Sequence, residues 1–196
     1  MALRLDYEYI ETHVPAGTRV LDLGCGDGKL LDALIHEKKV EGRGIEIDEK
    51  SVRRCIERGV PVYHGDMQEG MQMFRDGAFD CVILSQTLQQ SLHPADVMHE
   101  MLRIGRRAIV SFPNFGHWSV RLKLLCAGKA PVTPMLPYSW YNTPNVRLLT
   151  VRDFTSFCSE QGLKIVGRRF FSRRFIPVPV IGANFFASMA IFILEK

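Results

Sequence analysis

The chain has 196 residues, 46% of them hydrophobic and 23% charged, with a net charge of +4. A core of this size buries roughly 70% of the unfolded chain's surface, so residues 1–196 read as a single domain with no room for a second. The weak positive charge and the scatter of the arginine pairs Arg53-Arg54, Arg106-Arg107, Arg168-Arg169 and Arg173-Arg174 read as solvated faces, which excludes a basic stripe for nucleic acid.

The N-terminal run Met-Ala-Leu-Arg-Leu-Asp-Tyr-Glu carries charges before any apolar stretch forms, so no signal peptide is expected. Five scattered cysteines, Cys25, Cys55, Cys81, Cys126 and Cys158, have no CxxC or Cys/His spacing for a metal. A reduced cytoplasmic setting is the simplest reading.

Residues 20–30 form an apolar strand, a glycine-dense loop and the start of a helix. Gly24, Gly26 and Gly28 alternate, which lets the loop turn tightly, expose backbone N–H groups and admit a ligand without a Cβ in the way. The run is GxGxG, with Lys29 displacing the third glycine of the dinucleotide fingerprint. Gly28-Lys29-Leu30 also lacks the hydroxyl that a P-loop places on magnesium. Both phosphate readings weaken. Leu30, Leu31, Leu34 and Ile35 share one face of the helix that follows.

The next strand, Gly44 to Asp48, carries Glu46 22 residues after Gly24, near the offset at which an acid meets ribose hydroxyls in doubly wound folds. Asp48 is placed to cap a helix that buries Val52, Cys55 and Ile56 and stops at Gly59 before Pro61. A short strand, Pro61 to His64, leads to Gly65-Asp66-Met67. There an acid can accept from the exocyclic amine of adenine while Met67 packs on the ring. The three segments describe an adenosine whose other end is not a phosphate.

A strand from Cys81 to Ser85 follows, then a helix between Pro94 and Gly105 marked by Val97, Met98, Met101 and Leu102, then a strand from Ala108 to Phe112. An insertion at about 114–150 has four prolines after Gly128 and many aromatics, in the manner of a lid or docking surface. Thr150 and Asp153 are spaced as a capping box for a helix carrying Phe154, Phe157 and Cys158 and ending at Gly162. A strand is expected over Leu163 to Gly167. Phe175 to Leu194 runs 20 residues without charge, but Pro177, Pro179, Gly182 and Asn184 break its first half, so Phe185 to Leu194 reads as a buried final strand and not a membrane span. Seven strands with helices between the first five predict an α/β, doubly wound, Rossmann-like sheet with its ligand at the carboxyl ends of the strands.

The glycine loop, Glu46 and Asp66 together resemble the class I S-adenosylmethionine-dependent methyltransferases. A combination of five segments narrows this: Val20-Leu-Asp-Leu-Gly-Cys-Gly-Asp-Gly28, Ser111-Phe-Pro-Asn-Phe-Gly-His-Trp118, Pro131-Val-Thr133, Leu136-Pro-Tyr-Ser-Trp-Tyr-Asn-Thr-Pro-Asn145 and Thr150-Val-Arg-Asp-Phe154. In this combination the chain resembles the methionine biosynthesis protein MetW family over nearly its whole length.

The resemblance implies a mostly parallel sheet with an antiparallel last strand, and S-adenosylmethionine or S-adenosylhomocysteine as cofactor. It implies a binding set of Asp22, Gly24, Cys25, Gly26, Glu46, Ile47, Asp66, Met67 and Ser85. It also implies work in methionine biosynthesis beside homoserine O-acyltransferase (MetX). Cys25 is expected to contribute backbone and inward packing, not a nucleophile.

Methyl transfer from a sulfonium needs alignment, and a general base only where a proton must leave. No convincing base is visible. The Asn/Asp-Pro-Pro-Tyr signature of amino-group methyltransferases is replaced by Ser85-Gln-Thr-Leu-Gln-Gln-Ser-Leu-His93. Asn114, His117, Tyr138 and Tyr141 are polar groups placed to face an acceptor, while His93 and His117 read as ordinary hydrogen-bonded residues. Two classes stay open: a regulatory or accessory ligand-binding subunit, and an active methyltransferase on a small molecule or protein.

Overall fold

The computed structural model describes residues 5–174 and 176–196. Residues 1–4, where the reading of a leader begins, and Phe175, which opens the apolar stretch, lie outside the described residues. Among the described residues no helix is long and apolar enough to cross a membrane.

Seven strands form one sheet: β1 (Arg19–Leu23), β2 (Glu41–Glu46), β3 (Val62–His64), β4 (Phe79–Ser85), β5 (Gly105–Pro113), β6 (Lys164–Phe171) and β7 (Met189–Glu195). Their order is β3-β2-β1-β4-β5-β7-β6, all neighbours parallel except β7, which is antiparallel to both β5 and β6. The chain leaves β1 toward one edge and returns at β4 on its other side. The order therefore reverses between β1 and β4, which opens a crevice at the carboxyl ends of those two strands.

Register puts the site residues on one rim. Leu23 is opposite both Ile45 and Leu84, and Glu46 is opposite His64. The residues that follow, Gly24 after β1, Ser85 at the end of β4 and Gly65 after β3, therefore lie at the same rim as Glu46.

Both faces of the sheet are covered, as a parallel sheet requires. On one face Val20, Ile83 and Ile109 pack with Ile10 and Val14, which belong to and follow α1 (Leu5–His13), with Leu30, Leu31 and Leu34 of α2 (Lys29–Lys38) and with Cys55 of α3 (Glu49–Glu57). On the other, Leu21, Leu23, Val82 and Leu84 meet Met71 of α4 (Met67–Gln72), five apolar residues of α5 (Pro94–Ile104) and Phe154 and Cys158 of α7 (Val151–Glu160). Phe112, Phe154 and Phe192 close this face with ring centroids 4.7 to 5.8 Å apart.

Local signals act as their chemistry requires. Asp48 accepts from the Ser51 N–H at 2.9 Å, and Thr150 accepts from the Asp153 N–H at 3.1 Å. α5 ends directly on Gly105, the first residue of β5.

Three expectations need correction. Ile56 is 65% exposed, because Val52 and Cys55 fill the narrow face that α3 turns to the sheet and Ile56 follows a further 100° round. The final apolar run is not one strand. Gly182, at φ 85°, starts a four-residue helix, α8 (Ala183–Phe186), which leaves Phe185 and Phe186 partly exposed before β7 begins at Met189. β6 extends to Phe171, four residues beyond Gly167, with a register shift between Ile165 and Gly167.

Candidate functional site

The glycine loop is held onto β2 by its own amides. Gly24 and Cys25 donate to the Ile45 carbonyl at 2.8 and 3.2 Å, Gly26 donates to Glu46 Oε2 at 2.8 Å, and Gly28 donates to the Cys25 carbonyl at 3.1 Å. These four N–H groups are spent inside the protein, contrary to the expectation that the loop exposes them. The glycines are required by conformation: φ is 65° at Gly24, 57° at Gly26 and 74° at Gly28. A Cβ on Gly24 would lie 2.9 Å from Thr87 Oγ1, whereas one on Gly26 would meet nothing within 4 Å. There is open space above Gly26.

Glu46 is nearly buried and organises this corner. Its Oε1 accepts from the N–H groups of Ile47 and Asp48, both at 2.9 Å, while Oε2 takes Gly26. A carboxylate offers about four acceptor positions, so one remains after these three bonds. Asp66 caps α4, with Oδ1 accepting from Gln68 at 2.7 Å and Glu69 at 3.4 Å. Its neighbour Met67 is the first residue of that helix.

Two cavities flank the loop. One, of about 370 Å³, is bordered by Gly24, Glu46, Ile47, Asp66, Met67 and Thr87. The other, of about 830 Å³, is bordered by Tyr7, Gly24, Cys25, Gly26, Ser85 and Thr87 among others. They meet at Gly24 and Thr87, the crevice where the strand order reverses. Both volumes lie in the range of small-molecule sites. A third depression of about 830 Å³ lies at the opposite end of the sheet, beside ion pairs such as Arg107–Glu195 at 2.6 Å, and touches none of the expected residues.

Asp22 borders neither of the two cavities. It is buried beneath the loop, where its charge joins desolvation, the larger effect, in raising the Cys25 thiol. The Cys25 sulfur packs inward, 3.9 Å from Cys55 Sγ. A thiol so strongly protonated is no nucleophile. Ser85 Oγ donates to Asp6 Oδ2 at 3.0 Å and lies 3.2 Å from Ser111 Oγ.

Of the four polar residues expected near an acceptor, Tyr138 borders a cavity at this rim. Asn114 is buried in the scaffold. Its Nδ2 donates to the Asn184 and Ala187 carbonyls, and its Oδ1 accepts from the N–H groups of Gly116 and Val151. His117 caps α6 (Trp118–Ala127), with Nδ1 accepting from the Ser119 N–H at 3.2 Å. Burial first, then the Arg173 charge, lowers its pKa. Tyr141 is 72% exposed against Trp140. Asn114 and His117 look chemical in sequence because a buried Asn and a catalytic Asn have the same composition; their partners, up to 73 residues away, tell them apart.

Sequence reading missed Tyr7, Gln86 and Thr87 at the rim. Gln86 adopts φ 58° without being glycine, held by its N–H bond to the Ser111 carbonyl at 2.9 Å. Tyr7, Ile10 and Val14 do carry a helical spacing that marks α1.

Residues 4–194 match the family model for methionine biosynthesis protein MetW. The chain belongs to the MetW family. Over 174 residues it is 38% identical to the bifunctional methionine biosynthesis protein MetXA/MetW of Rhodopirellula baltica, a match covering 84% of this chain and 28% of that fused protein. It is 30% identical over 169 residues to a ubiquinone biosynthesis O-methyltransferase of Ralstonia nicotianae, covering 83% of this chain and 69% of the relative. Its fold is that of a SAM-dependent methyltransferase from Archaeoglobus fulgidus, with a TM-score of 0.70 at 16% identity over 98% of this chain and 93% of the other. This chain thus has the α/β, mostly parallel class I methyltransferase sheet with one antiparallel strand at its C-terminal end.

Proposed function

We propose that this protein binds S-adenosylmethionine, or its product S-adenosylhomocysteine, across the two cavities that meet at Gly24 and Thr87, and serves as a regulatory or accessory subunit of homoserine O-acyltransferase. The observation that carries the ligand is the juxtaposition of Glu46, Asp66, Ile47 and Met67 around one cavity. Glu46 keeps an acceptor position for a ribose hydroxyl. The carboxylate of Asp66 has one oxygen beyond the cap for an adenine amine, and Ile47 and Met67 supply apolar walls for the ring. The larger cavity, over Gly26 and beside Ser85, takes the methionyl end. With the loop amides internally bonded, this corner suits an uncharged ribose better than a pyrophosphate. The ligand, when bound, supplies an activated methyl group; nothing in the regulatory reading requires its transfer.

The partnership rests on the fused MetXA/MetW relative, in which both units share one chain. The segment 114–150 is assigned as the docking insertion of an otherwise single domain. Since S-adenosylmethionine is made from methionine, its binding can report pathway output, provided its affinity differs between two states of the partner. The test is to mix purified protein with homoserine O-acyltransferase, titrate S-adenosylmethionine and follow acyl transfer. A ligand-dependent change in rate is expected, and an unchanged rate with no complex overturns the regulatory reading.

The likeness to a ubiquinone biosynthesis O-methyltransferase favours the second reading, an active methyltransferase on a small molecule or protein. Labelled S-adenosylmethionine incubated with protein and cell extract then yields a labelled acceptor. No label in any acceptor leaves the regulatory reading in place.

A further inference from the structure

Charge is unevenly divided along the chain. Residues 114–194 hold ten lysines and arginines against two acids, Asp153 and Glu160. Among the described residues, the arginines engaged in ion pairs all lie at or before Arg107. Three of the later arginines border one cavity of about 420 Å³, within the range of small-molecule sites. Its lining shares no residue with the cavities around the glycine loop. Arg121 comes from α6, and Arg168 from β6, the edge strand of the sheet. Arg152 comes from α7, where Thr155 and Ser156 follow three and four positions on and share its face.

The side chains around this space mostly offer donors. Arg121 Nε donates to the Gly116 carbonyl at 2.6 Å, and its guanidinium lies 5.5 Å from the centre of the Phe185 ring. These contacts hold the group in place and leave its two Nη nitrogens to donate elsewhere. Asn184 Oδ1 accepts from the Arg152 main-chain N–H at 3.0 Å, so the Asn184 side chain turns an N–H₂ to other partners. Neither the Arg152 nor the Arg168 side chain has a hydrogen bond or ion pair among the described residues, and no Asp or Glu among them lines the cavity. Val180 and Phe185, 52% and 42% exposed, give it an apolar edge.

We propose that this cavity is an anion site for a small organic phosphate, a phosphomonoester whose ester group is apolar or aromatic. A cleft lined by one sign of charge concentrates counter-ions. A phosphomonoester carries nearly two negative charges at pH 7 and three terminal oxygens that accept, and guanidinium groups meet such oxygens in pairs. A carboxylate brings one charge and two oxygens in a single plane, fewer than three arginines can use. The ester group lies against Val180 and Phe185. This site does not depend on what occupies the glycine-loop cavities.

The test is calorimetric titration of the full chain at pH 7 with phenyl phosphate, and separately with benzoate. One saturable site for phenyl phosphate is expected, with benzoate at least about ten-fold weaker. Arg152→Gln and Arg168→Gln are each expected to weaken phenyl phosphate about ten-fold, whereas Lys129→Gln, which removes an exposed charge outside the cavity, leaves it unchanged. No saturable binding, benzoate binding as tightly, an arginine variant binding undiminished, or Lys129→Gln binding as weakly as the arginine variants each overturns the proposal. Sedimentation with phosphatidylglycerol vesicles, but not phosphatidylcholine ones, in a protein that ignores phenyl phosphate would assign these arginines to a lipid surface and overturn it too. Both arginines are exposed, and should one variant fail to fold, the other decides.

Discussion

Glu46 and Asp66 hold the protein together as well as facing the cavity, and their replacements report different things. Removing Glu46 leaves three backbone N–H groups of the loop and of β2's end without their acceptor. Glu46→Ala is therefore expected to cost about 2–4 kcal/mol in urea unfolding and to abolish ligand binding through loss of the loop. Asp66→Asn separates the two roles. Asparagine caps as well as aspartate, so stability should stay within about 1 kcal/mol, while an amide N–H₂ set against the adenine amine should weaken S-adenosyl ligand binding about ten-fold or more by calorimetry.

His117 carries the pH prediction. Its folded pKa lies below the ordinary value of about 6.5, so the unfolded chain takes up a proton first. Stability from this group is complete above pH 6.5 and falls as pH drops toward the folded value. His117→Asn keeps a cap on α6 without titrating, and should flatten this part of the pH dependence in urea melts at pH 7.5 and 5.5.

At the scale of elements, the fit between β2 and the glycine loop is the tightest contact near the site. A Cβ on Gly44 would press into Cys25 Sγ, and one on Gly42 would come 3.0 Å from Leu31 and Ile35 of α2. Gly44→Ala is expected to cost about 1–3 kcal/mol and to weaken ligand binding by shifting the loop. Adding Cys25→Ala, which removes the sulfur in the way, should restore part of both, a non-additivity that a double-mutant cycle reads directly.

Strands and helices with strong periodicity were legible from sequence for the same reason that they fold. Leu30, Leu31 and Leu34, Val97 to Leu102, and the caps at Asp48 and Thr150 act within one element. So were Gly24, Glu46 and Asp66, since strand ends at one rim follow from topology. What could not be read depends on distant partners: Asn114 turned inward by Ala187, Thr87 brought against Gly24, and the break of the last apolar run at Gly182, where a turn of helix interrupts an otherwise strand-like composition.

Across the whole molecule, all three cavities near the proposed chemistry open on the carboxyl rim of the sheet, while the depression at the opposite end is edged by ion pairs such as Arg19–Asp80 at 3.1 Å and Arg103–Asp76 at 2.7 Å. These partly exposed pairs contribute little each, so Arg107→Ala is expected to change stability by less than about 1 kcal/mol in urea melts. Two of the paired arginines of the sequence are engaged in such ion pairs, Arg53 with Glu49 and Arg107 with Glu195. The proposed nucleoside site and residues 134–145 share this rim, so ligand binding there would reach the proposed docking surface. That route is meaningful only if the nucleoside is there. Isothermal titration of the pure protein with S-adenosylmethionine and, separately, with a nicotinamide dinucleotide tests this most directly: one saturable site for S-adenosylmethionine, weakened by Asp66→Asn, is predicted, and heat from the dinucleotide alone, or from neither, would contradict it.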